Sequence, residues 1–574
     1  MLRLITGRAG AGKTALVMEE IRRSVDAGRG GRLLLVPEQY SHEAERELAR
    51  VAGPRMALYA EVLSFTGLAR RVEAEIGPRR GRMLDPGGRL LCMALAVEST
   101  AGALKVYSGA RRSPEQQLQL LAAVDELRAA ALTPERMEEA AALAGGALGG
   151  KLSDLALLCG AFEAAAGGSR SDPSARIAQL ADDLPLSSAG RSGHIYIDGF
   201  TDFTRVEERV IEELLPRGAD VTVCLTLDGL DSDNEVFELS RRTARSLLAA
   251  AEERGVPSRV EALAAQEDVA GRLAAGVFSY GAERLDAEGR VSLRSAPGLT
   301  AECEFAAAKC LELARAGCRW RDIAIAVRGF EDYRSALEAA FSAAGVPLFT
   351  ARSVDVLSKP LPALISGAYE VILGGWERAE VFSYLRTGLA GLTDGETDIL
   401  ENYCCVWSIG AKHWLSGADW KMPPDGAQGR GANDGARLEE INAVRRRAAA
   451  PLLNLLRRSR EAGTAEGQAR ALAEYFDEIG LAERLAGRAE ELDAAGRRQA
   501  ADEYSRLWDS AVSALEQAAD ILGDTPMDAA EFSRLYLLAL SQYGVGGIPV
   551  SLDMVTAGDM DRMRRRHIKH LIVL

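Results

Sequence analysis

One short glycine-rich motif constrains the fold of this chain more than any other feature of its sequence. It satisfies the pattern G-x-x-x-x-G-K-[ST], and its residues are Gly7, Arg8, Ala9, Gly10, Ala11, Gly12, Lys13 and Thr14. An apolar run at 2–6 precedes the motif, and a helical pattern at 15–26 follows it. A strand, such a loop and a helix in this order form the phosphate-binding P-loop. The motif therefore predicts a nucleotide-binding α/β domain.

Each residue type in the motif has a physical role in nucleotide binding. The glycines let backbone N–H groups turn inward around phosphate oxygens, and the N-terminus of the following helix adds positive potential. We expect the Lys13 side chain to bridge the β- and γ-phosphates of ATP, and the Thr14 hydroxyl to coordinate Mg²⁺. The predicted cofactors are therefore ATP and Mg²⁺, held by an exposed loop whose lysine is not part of the core.

A second acidic residue should complete the Mg²⁺ site, and Asp198 is the best candidate because it follows an apolar run at 195–197. Asp198 and Asp202 match both acids of the D-E-F-Q-D-T pattern of superfamily 1 helicases, but Gly199 stands where the water-activating Glu is expected. Loss of such a base typically costs ~10²–10⁴ in rate. The sequence predicts ATP binding with weak or absent turnover, and we expect Gly199→Glu to raise turnover if this base is the main defect.

Length and composition exclude several other classes of protein. The 574 residues suggest three or four domains, and 47% apolar with 26% charged residues is typical of a globular chain. No apolar run is long enough to span a membrane and no secretory signal is recognisable, so we expect a cytoplasmic protein with reduced cysteines. The net charge of −14, from 69 basic and 83 acidic residues, argues against coating of nucleic acid by bulk electrostatics, although it leaves a local basic channel possible.

Short apolar runs predict strands of parallel sheets, and two long helical stretches interrupt them. The predicted strands are 2–6, 33–36, 195–197, 221–227, 291–293, 323–327 and 572–574. The stretches from 68 to 186 and from about 365 to 540 show helical periodicity instead. Because the last run looks like the start of a buried strand, we expect the chain to be a fragment of a longer protein.

These segments together resemble the N-terminal half of AddB-type subunits of bacterial ATP-dependent helicase–nucleases (AddAB, RecBCD-like). The resemblance spans the whole chain and rests on the P-loop and on six further segments, which are LVPEQ at 35–39, VLSFTGLARR at 62–71, YIDGF at 196–200, IAIAVR at 323–328, ENY at 401–403 and DRMR at 561–564. The P-loop alone is generic, whereas the segments at 35–39 and 196–200 are more specific in this order and spacing.

The resemblance implies an α/β fold of the superfamily 1 helicase type, with two RecA-like P-loop parallel-sheet domains that each carry a large helical insertion. Domain 1A would comprise 1–75 and 187–290, with insertion 1B at 76–186. A truncated domain 2A would comprise 291–365 and 546–574, with insertion 2B at 366–545.

The resemblance also implies roles for particular residues. Ser64, Phe65 and Thr66 are similar to the helicase motif that contacts single-stranded DNA. Arg328 resembles the arginine that reaches the γ-phosphate across the cleft, although a surface Arg that merely ends a strand is the alternative interpretation.

Proteins of this family pair with an AddA-type helicase–nuclease subunit and process double-strand DNA ends for recombination. The implied partners are therefore that AddA-type protein and DNA, especially single-stranded DNA that carries a recombination hotspot, with no membrane. The family's nuclease domain, with a [4Fe-4S] cluster held by four cysteines, would lie beyond Leu574. We therefore expect no DNA cleavage by this chain alone.

Two other functions remain open at this stage. The chain could be a self-sufficient superfamily 1 DNA helicase, which Gly199 argues against, or a non-enzymatic P-loop scaffold that uses ATP to stabilise an interface. An aromatic cluster interleaved with lysines, and a basic run at 562–566, are each compatible with DNA contact or with an ordinary structural role. The cluster consists of Tyr403, Trp407, Lys412, Trp414, Trp420 and Lys421.

Overall fold

A computed structural model describes most of the chain. The described residues are 1–77, 81–167, 170–264, 267–277, 284–287, 289–350, 353–426, 434–546, 553–560, 563 and 568–574. They divide into two compact units. The first comprises Met1–Met83, Ala123–Arg136 and Ser169–Ser295, and the second comprises Leu84–Ala122, Met137–Gly168 and Ala296–Leu574.

Strands and helices alternate at both ends of the first 295 residues, and helices fill the middle. The elements are β1 Leu2–Gly7, α1 Lys13–Asp26, β2 Arg32–Leu35, α2 Ser41–Ala52, β3 Ala60–Leu63, α3 Phe65–Ile76, β4 Arg82–Met83, α4 Pro86–Thr100, α5 Pro114–Ala129, α6 Pro134–Ala144, α7 Gly146–Ala166, β5 Arg170–Ser171, α8 Arg176–Asp183, β6 His194–Ile197, α9 Arg205–Leu214, β7 Asp220–Thr226, α10 Glu238–Glu253, β8 Ser258–Ala262 and α11 Val269–Gly276.

The rest of the chain is mostly helical. Its elements are α12 Leu299–Arg315, β9 Ile323–Val327, α13 Phe330–Ala344, β10 Leu348–Thr350, β11 Ser353–Asp355, α14 Pro360–Gly374, α15 Arg378–Leu385, α16 Asp394–Val406, α17 Ala411–Leu415, α18 Asp434–Glu461, α19 Ala465–Glu478, α20 Leu481–Ala494, α21 Arg498–Leu522, α22 Ala529–Ser541, β12 Gly544–Gly546, β13 Val555–Asp559 and β14 His570–Val573.

The first unit is built on a six-stranded parallel sheet in the order β3-β2-β6-β7-β1-β8. Successive strand residues point to opposite faces, so each strand supplies two cores. Ile5 and Leu34 pack with residues of α1 and α2 on one face. Leu4 and Leu33 pack with residues of α3, α8, α9 and α10 on the other. Helices on both faces of a parallel sheet explain why its inner strands are mostly apolar.

A smaller parallel sheet in the second unit has the order β10-β13-β9-β14. Ile323, Ile325 and Val327 of β9 share a core with residues of α12 and α13. The two parallel sheets and the helical stretches give the α/β, RecA-like helicase-type fold with helical insertions that the sequence predicted. The exact limits of the four domains stay predictions.

Two strand predictions need correction. Residues 291–293 form no strand, and the side chains of Val291 and Leu293 are 49% and 95% exposed. The final run does form β14, which pairs with β9 among the described residues. It is only partly buried, because Ile572 and Leu574 pack against the core while Val573 is exposed. In both places a segment of three residues was too short to indicate its environment.

Four strands of the two larger parallel sheets were not predicted, namely β3, β8, β10 and β13. Three of them, β3, β8 and β10, lie at sheet edges, where polar and charged side chains are common. Among the described residues, no helix is long and apolar enough to cross a membrane.

Candidate nucleotide-binding site

The six-stranded sheet brings the predicted site residues to one edge. All its strands are parallel, so their carboxyl ends lie together, which is where α/β sheets bind ligands. The P-loop follows β1, Asp198 follows β6, and β7 lies between these two strands. Thr14 and Asp198, 184 positions apart in the chain, therefore become neighbours.

The P-loop adopts a conformation that depends on its glycines. Gly10 and Gly12 have φ of 79° and 88°, in the left-handed region that favours glycine. Gly12 is the residue before α1, so the loop turns directly into the helix N-terminus. The first glycine is restricted by space instead, because a Cβ atom at Gly7 would lie 2.9 Å from the Leu263 carbonyl oxygen.

The Lys13 side chain folds back on its own loop. Its Nζ donates hydrogen bonds to the carbonyl oxygens of Gly7 (2.7 Å) and Arg8 (2.9 Å). The residue is only 9% exposed, which corrects the expectation of an exposed lysine outside the core. Burial lowers the pKa of this ammonium group, and the nearby Asp198 carboxylate acts in the opposite direction.

Thr14 and Asp198 are in direct contact. The Thr14 hydroxyl donates to Oδ2 of Asp198 over 2.6 Å, and Asp198 is 4% exposed. The backbone N–H of Asp198 continues the sheet by donating to the Leu35 carbonyl oxygen. A hydroxyl and a carboxylate side by side at the end of a P-loop fit the oxygen ligands that Mg²⁺ prefers. In the described residues, no group of three or more His, Cys, Asp or Glu side chains forms another candidate metal site.

Gly199 has its own conformational requirement. Its φ is 90°, so the chain turns through the left-handed region immediately after Asp198. The following Phe200 packs edge-on against Phe65, with 5.5 Å between ring centroids, while Asp202 is exposed. The missing Glu is therefore accompanied by a backbone conformation that an L-residue with a side chain adopts only at a cost.

Ser64, Phe65 and Thr66 stand at the carboxyl end of β3. The Ser64 hydroxyl accepts from the Gly67 N–H, which caps α3, and donates to the Glu38 carboxylate. Phe65 is buried in the core, and Thr66 is half-buried. Ser64 and Phe65 thus have structural roles that the sequence did not indicate, and contact of this segment with single-stranded DNA stays a prediction.

Arg328 belongs to the second unit and is exposed immediately after β9. Its predicted contact with the γ-phosphate stays a prediction. Most of the basic run at 562–566 and of the DRMR segment lies outside the described residues.

Three of the four rings in the aromatic cluster at 403–420 pack together. Tyr403, Trp414 and Trp420 are buried. The Tyr403 and Trp420 rings stack with centroids 5.2 Å apart, and Trp414 meets Trp420 edge-on at 5.1 Å. These three rings are not available for bases in this structure, as the packing alternative predicted. Trp407 is half-buried, and its Nε1 donates to the Pro423 carbonyl oxygen.

Sequence reasoning missed Asp228, which follows β7. Its carboxylate lies 3.7 Å from the Arg8 guanidinium group, so a third strand end contributes an acid to the surroundings of the P-loop. The signal was present in the sequence, because an acidic residue directly follows the predicted strand at 221–227.

The arrangement defines a class of protein. A P-loop after the first strand of a parallel sheet, with an acid at the end of a nearby strand and large helical insertions, is typical of RecA-like helicase folds. Residues 4–274 match the family model described as "ADDB, N-terminal". This part of the chain is therefore the N-terminal domain of an AddB-family protein.

Curated relatives agree with this assignment over the whole chain. Proteins named as the B subunits of ATP-dependent helicase/deoxyribonucleases from Desulforudis audaxviator, Moorella thermoacetica and Desulforamulus reducens are 33%, 32% and 30% identical to it. Each alignment covers 100% of this chain and 52% of the relative. The chain thus spans about half the length of the curated relatives it matches.

Proposed function

We propose that this chain is the nucleotide-binding, helicase-like part of the AddB-type component of a heterodimeric ATP-dependent DNA helicase–nuclease that resects double-strand DNA ends for recombinational repair. The observation that carries this proposal is the Thr14–Asp198 contact, which joins the P-loop to the acid of a separate strand. Such a pair is needed for a nucleotide with its metal ion but not for a merely structural turn.

ATP and Mg²⁺ are the proposed cofactors. Residues 7–14 would hold the phosphates, Lys13 would pair with their negative charge, and Thr14 and Asp198 would hold the metal ion. Bound Mg²⁺ would neutralise charge on the phosphates. Lys13 and Thr14 exchange their present protein partners for these ligands, so binding replaces hydrogen bonds rather than leaving buried groups unpaired.

Weak or absent motor activity is part of the proposal. It is supported by Gly199, which provides no carboxylate to orient a water molecule.

We propose contact with single-stranded DNA near Ser64–Thr66, with recognition of a hotspot sequence, and an AddA-type protein as the partner. The names of the relatives support an enzyme of more than one subunit. The nuclease activity and the [4Fe-4S] cluster are not assigned to residues of this chain.

Substitution of Lys13 tests the nucleotide site. Because Lys13 is buried, Lys13→Met is preferable to Lys13→Ala, as it keeps the length of the side chain and removes the charge. We expect Lys13→Met to weaken Mg·ATP binding about 10- to 100-fold, the range for hydrogen bonds between charged groups. Equilibrium titration measures this, with exposed Lys151→Met as the matched control. Unchanged affinity in Lys13→Met would contradict the P-loop assignment.

Turnover and DNA binding distinguish the proposal from its alternatives. Tight Mg·ATP binding, slow DNA-stimulated phosphate release and measurable affinity for single-stranded DNA support it. Rapid release would favour a self-sufficient helicase. Nucleotide binding without any affinity for single-stranded DNA would favour the scaffold function.

A further inference from the structure

The carboxyl end of β7 is tied directly to the P-loop. The Leu227 N–H donates to the Gly7 carbonyl oxygen over 3.3 Å, and this is the same oxygen that accepts from Lys13. Asp228 is the next residue. It therefore lies beside the first turn of the P-loop, just beyond the end of the strand that separates β1 from β6.

The Arg8 side chain is anchored outside the P-loop. Its Nη1 donates to the carbonyl oxygens of Ala274 and Ala275, near the C-terminus of α11, where a cation is favourable. Its guanidinium carbon lies 5.4 Å from the centre of the Phe237 ring, and its Nη2 lies 3.7 Å from Oδ2 of Asp228. Three separate segments thus hold one side chain of the P-loop.

The Asp228 carboxylate is the charged centre of this anchor. Its Oδ1 accepts from Nη1 of Arg241 at 3.3 Å, and its Oδ2 accepts from the Ser232 hydroxyl at 2.8 Å. Arg241 is fully buried, and the side chains of Arg8 and Asp228 are 17% and 11% exposed. Solvent therefore screens the attraction between Arg8 and Asp228 less than it would at the surface.

We propose that Asp228 is a positioning residue of the nucleotide site, which acts through Arg8. Holding Arg8 fixes the backbone of the first turn, including the Arg8 carbonyl oxygen that accepts from Lys13. It also keeps a second flexible cation out of the phosphate site, so that Lys13 alone supplies the mobile charge. This inference rests on the proposed nucleotide binding.

A double-mutant cycle on Mg·ATP binding tests the role. We expect Asp228→Asn and Arg8→Gln each to raise the Kd about tenfold, as for other residues that orient a ligand-binding group. The Kd of the double variant should also lie no more than about tenfold above the wild-type Kd, because both substitutions break the same link. Ser232→Ala, which removes an uncharged partner of Asp228, should stay within about twofold of the wild-type Kd.

The cycle separates positioning from a purely structural role. Asp228→Asn also disturbs Arg241, so its melting temperature is measured alongside the Kd. Arg8→Gln leaves the Asp228–Arg241 pair intact and keeps the test valid if Asp228→Asn folds poorly. The inference would be overturned if the fold-changes in Kd of the two single variants multiply in the double variant. A wild-type Kd in Arg8→Gln would overturn it as well.

The same titrations distinguish failure of this inference from failure of the proposed function. Wild-type binding that is lost in Lys13→Met but unchanged in Asp228→Asn and Arg8→Gln overturns the positioning role alone. Absence of Mg·ATP binding in the wild-type chain overturns both.

Discussion

At the scale of single residues, the effect expected of Gly199→Glu depends on the backbone conformation after Asp198 as well as on the missing carboxylate. Gly199 has φ of 90°, a conformation that costs an L-residue roughly 1–2 kcal/mol. A Glu placed there would be strained, or would have to turn the backbone away from its present path. The simple expectation that Gly199→Glu restores turnover is therefore revised.

We now expect Gly199→Glu to lower the free energy of unfolding by about 1–2 kcal/mol without raising DNA-stimulated phosphate release. Thermal unfolding and a phosphate-release assay measure the two effects. Gly199→Asn is the control, because Asn tolerates the left-handed region better than other residues with side chains, so it should be less destabilising. A stable Gly199→Glu variant with faster release would show that the loop adapts.

At the scale of elements, the start of α4 depends on close packing within the second unit. Asp85 caps the helix by accepting from the Gly88 N–H at 2.8 Å, and its other oxygen accepts from the hydroxyls of Ser513 and Tyr543. Gly87, in the first turn of this helix, has no space for a side chain, because its Cβ atom would lie 2.7 Å from Cε2 of Tyr543. One helix N-terminus is thus joined to α21 and to the end of α22.

Substitutions of two helical glycines should have opposite effects. Gly87→Ala forces the Tyr543 ring aside, and overpacking of this kind costs about 1–3 kcal/mol. Gly160→Ala in α7 meets no atom within 4 Å and should stabilise the protein by about 0.5–1 kcal/mol, since Gly is a poor helix former. Chemical denaturation followed by circular dichroism measures both. Equal effects at the two positions would contradict the packing argument.

At the scale of the whole molecule, the two units each carry a parallel sheet. The P-loop and Asp198 belong to the first unit, and Arg328 belongs to the second. If Arg328 reaches the γ-phosphate as the family resemblance implies, its effect must depend on which nucleotide is bound, because ADP lacks that phosphate.

We therefore expect Arg328→Ala to weaken Mg·ATP binding about tenfold while leaving Mg·ADP binding unchanged, as a lost charged hydrogen bond of about 1.5 kcal/mol predicts. Titration of both nucleotides measures the ratio. Arg315→Ala, at an exposed position in the last turn of α12, is the matched control. Equal loss for ATP and ADP, or no loss for either, would leave Arg328 as a surface residue that follows a strand.

The sequence alone predicted the features that depend on local pattern. Strands β1, β2, β6, β7 and β9 are mostly apolar because their side chains are largely buried, so their runs were recognisable. The P-loop was recognisable because phosphate binding needs specific residues at consecutive positions. Edge strands such as β3 and β8 contain exposed polar residues and gave no such pattern.

Only the tertiary structure decided which of these features meet. The sheet order places Asp198 against Thr14 and Asp228 beside Arg8, across 184 and 220 positions of the chain. It also buries Lys13, whose residue type gave no warning of burial. Local patterns depend on a residue's neighbours in the chain, whereas these contacts depend on the order in which distant strands pair, and that order is set by the packing of the whole unit.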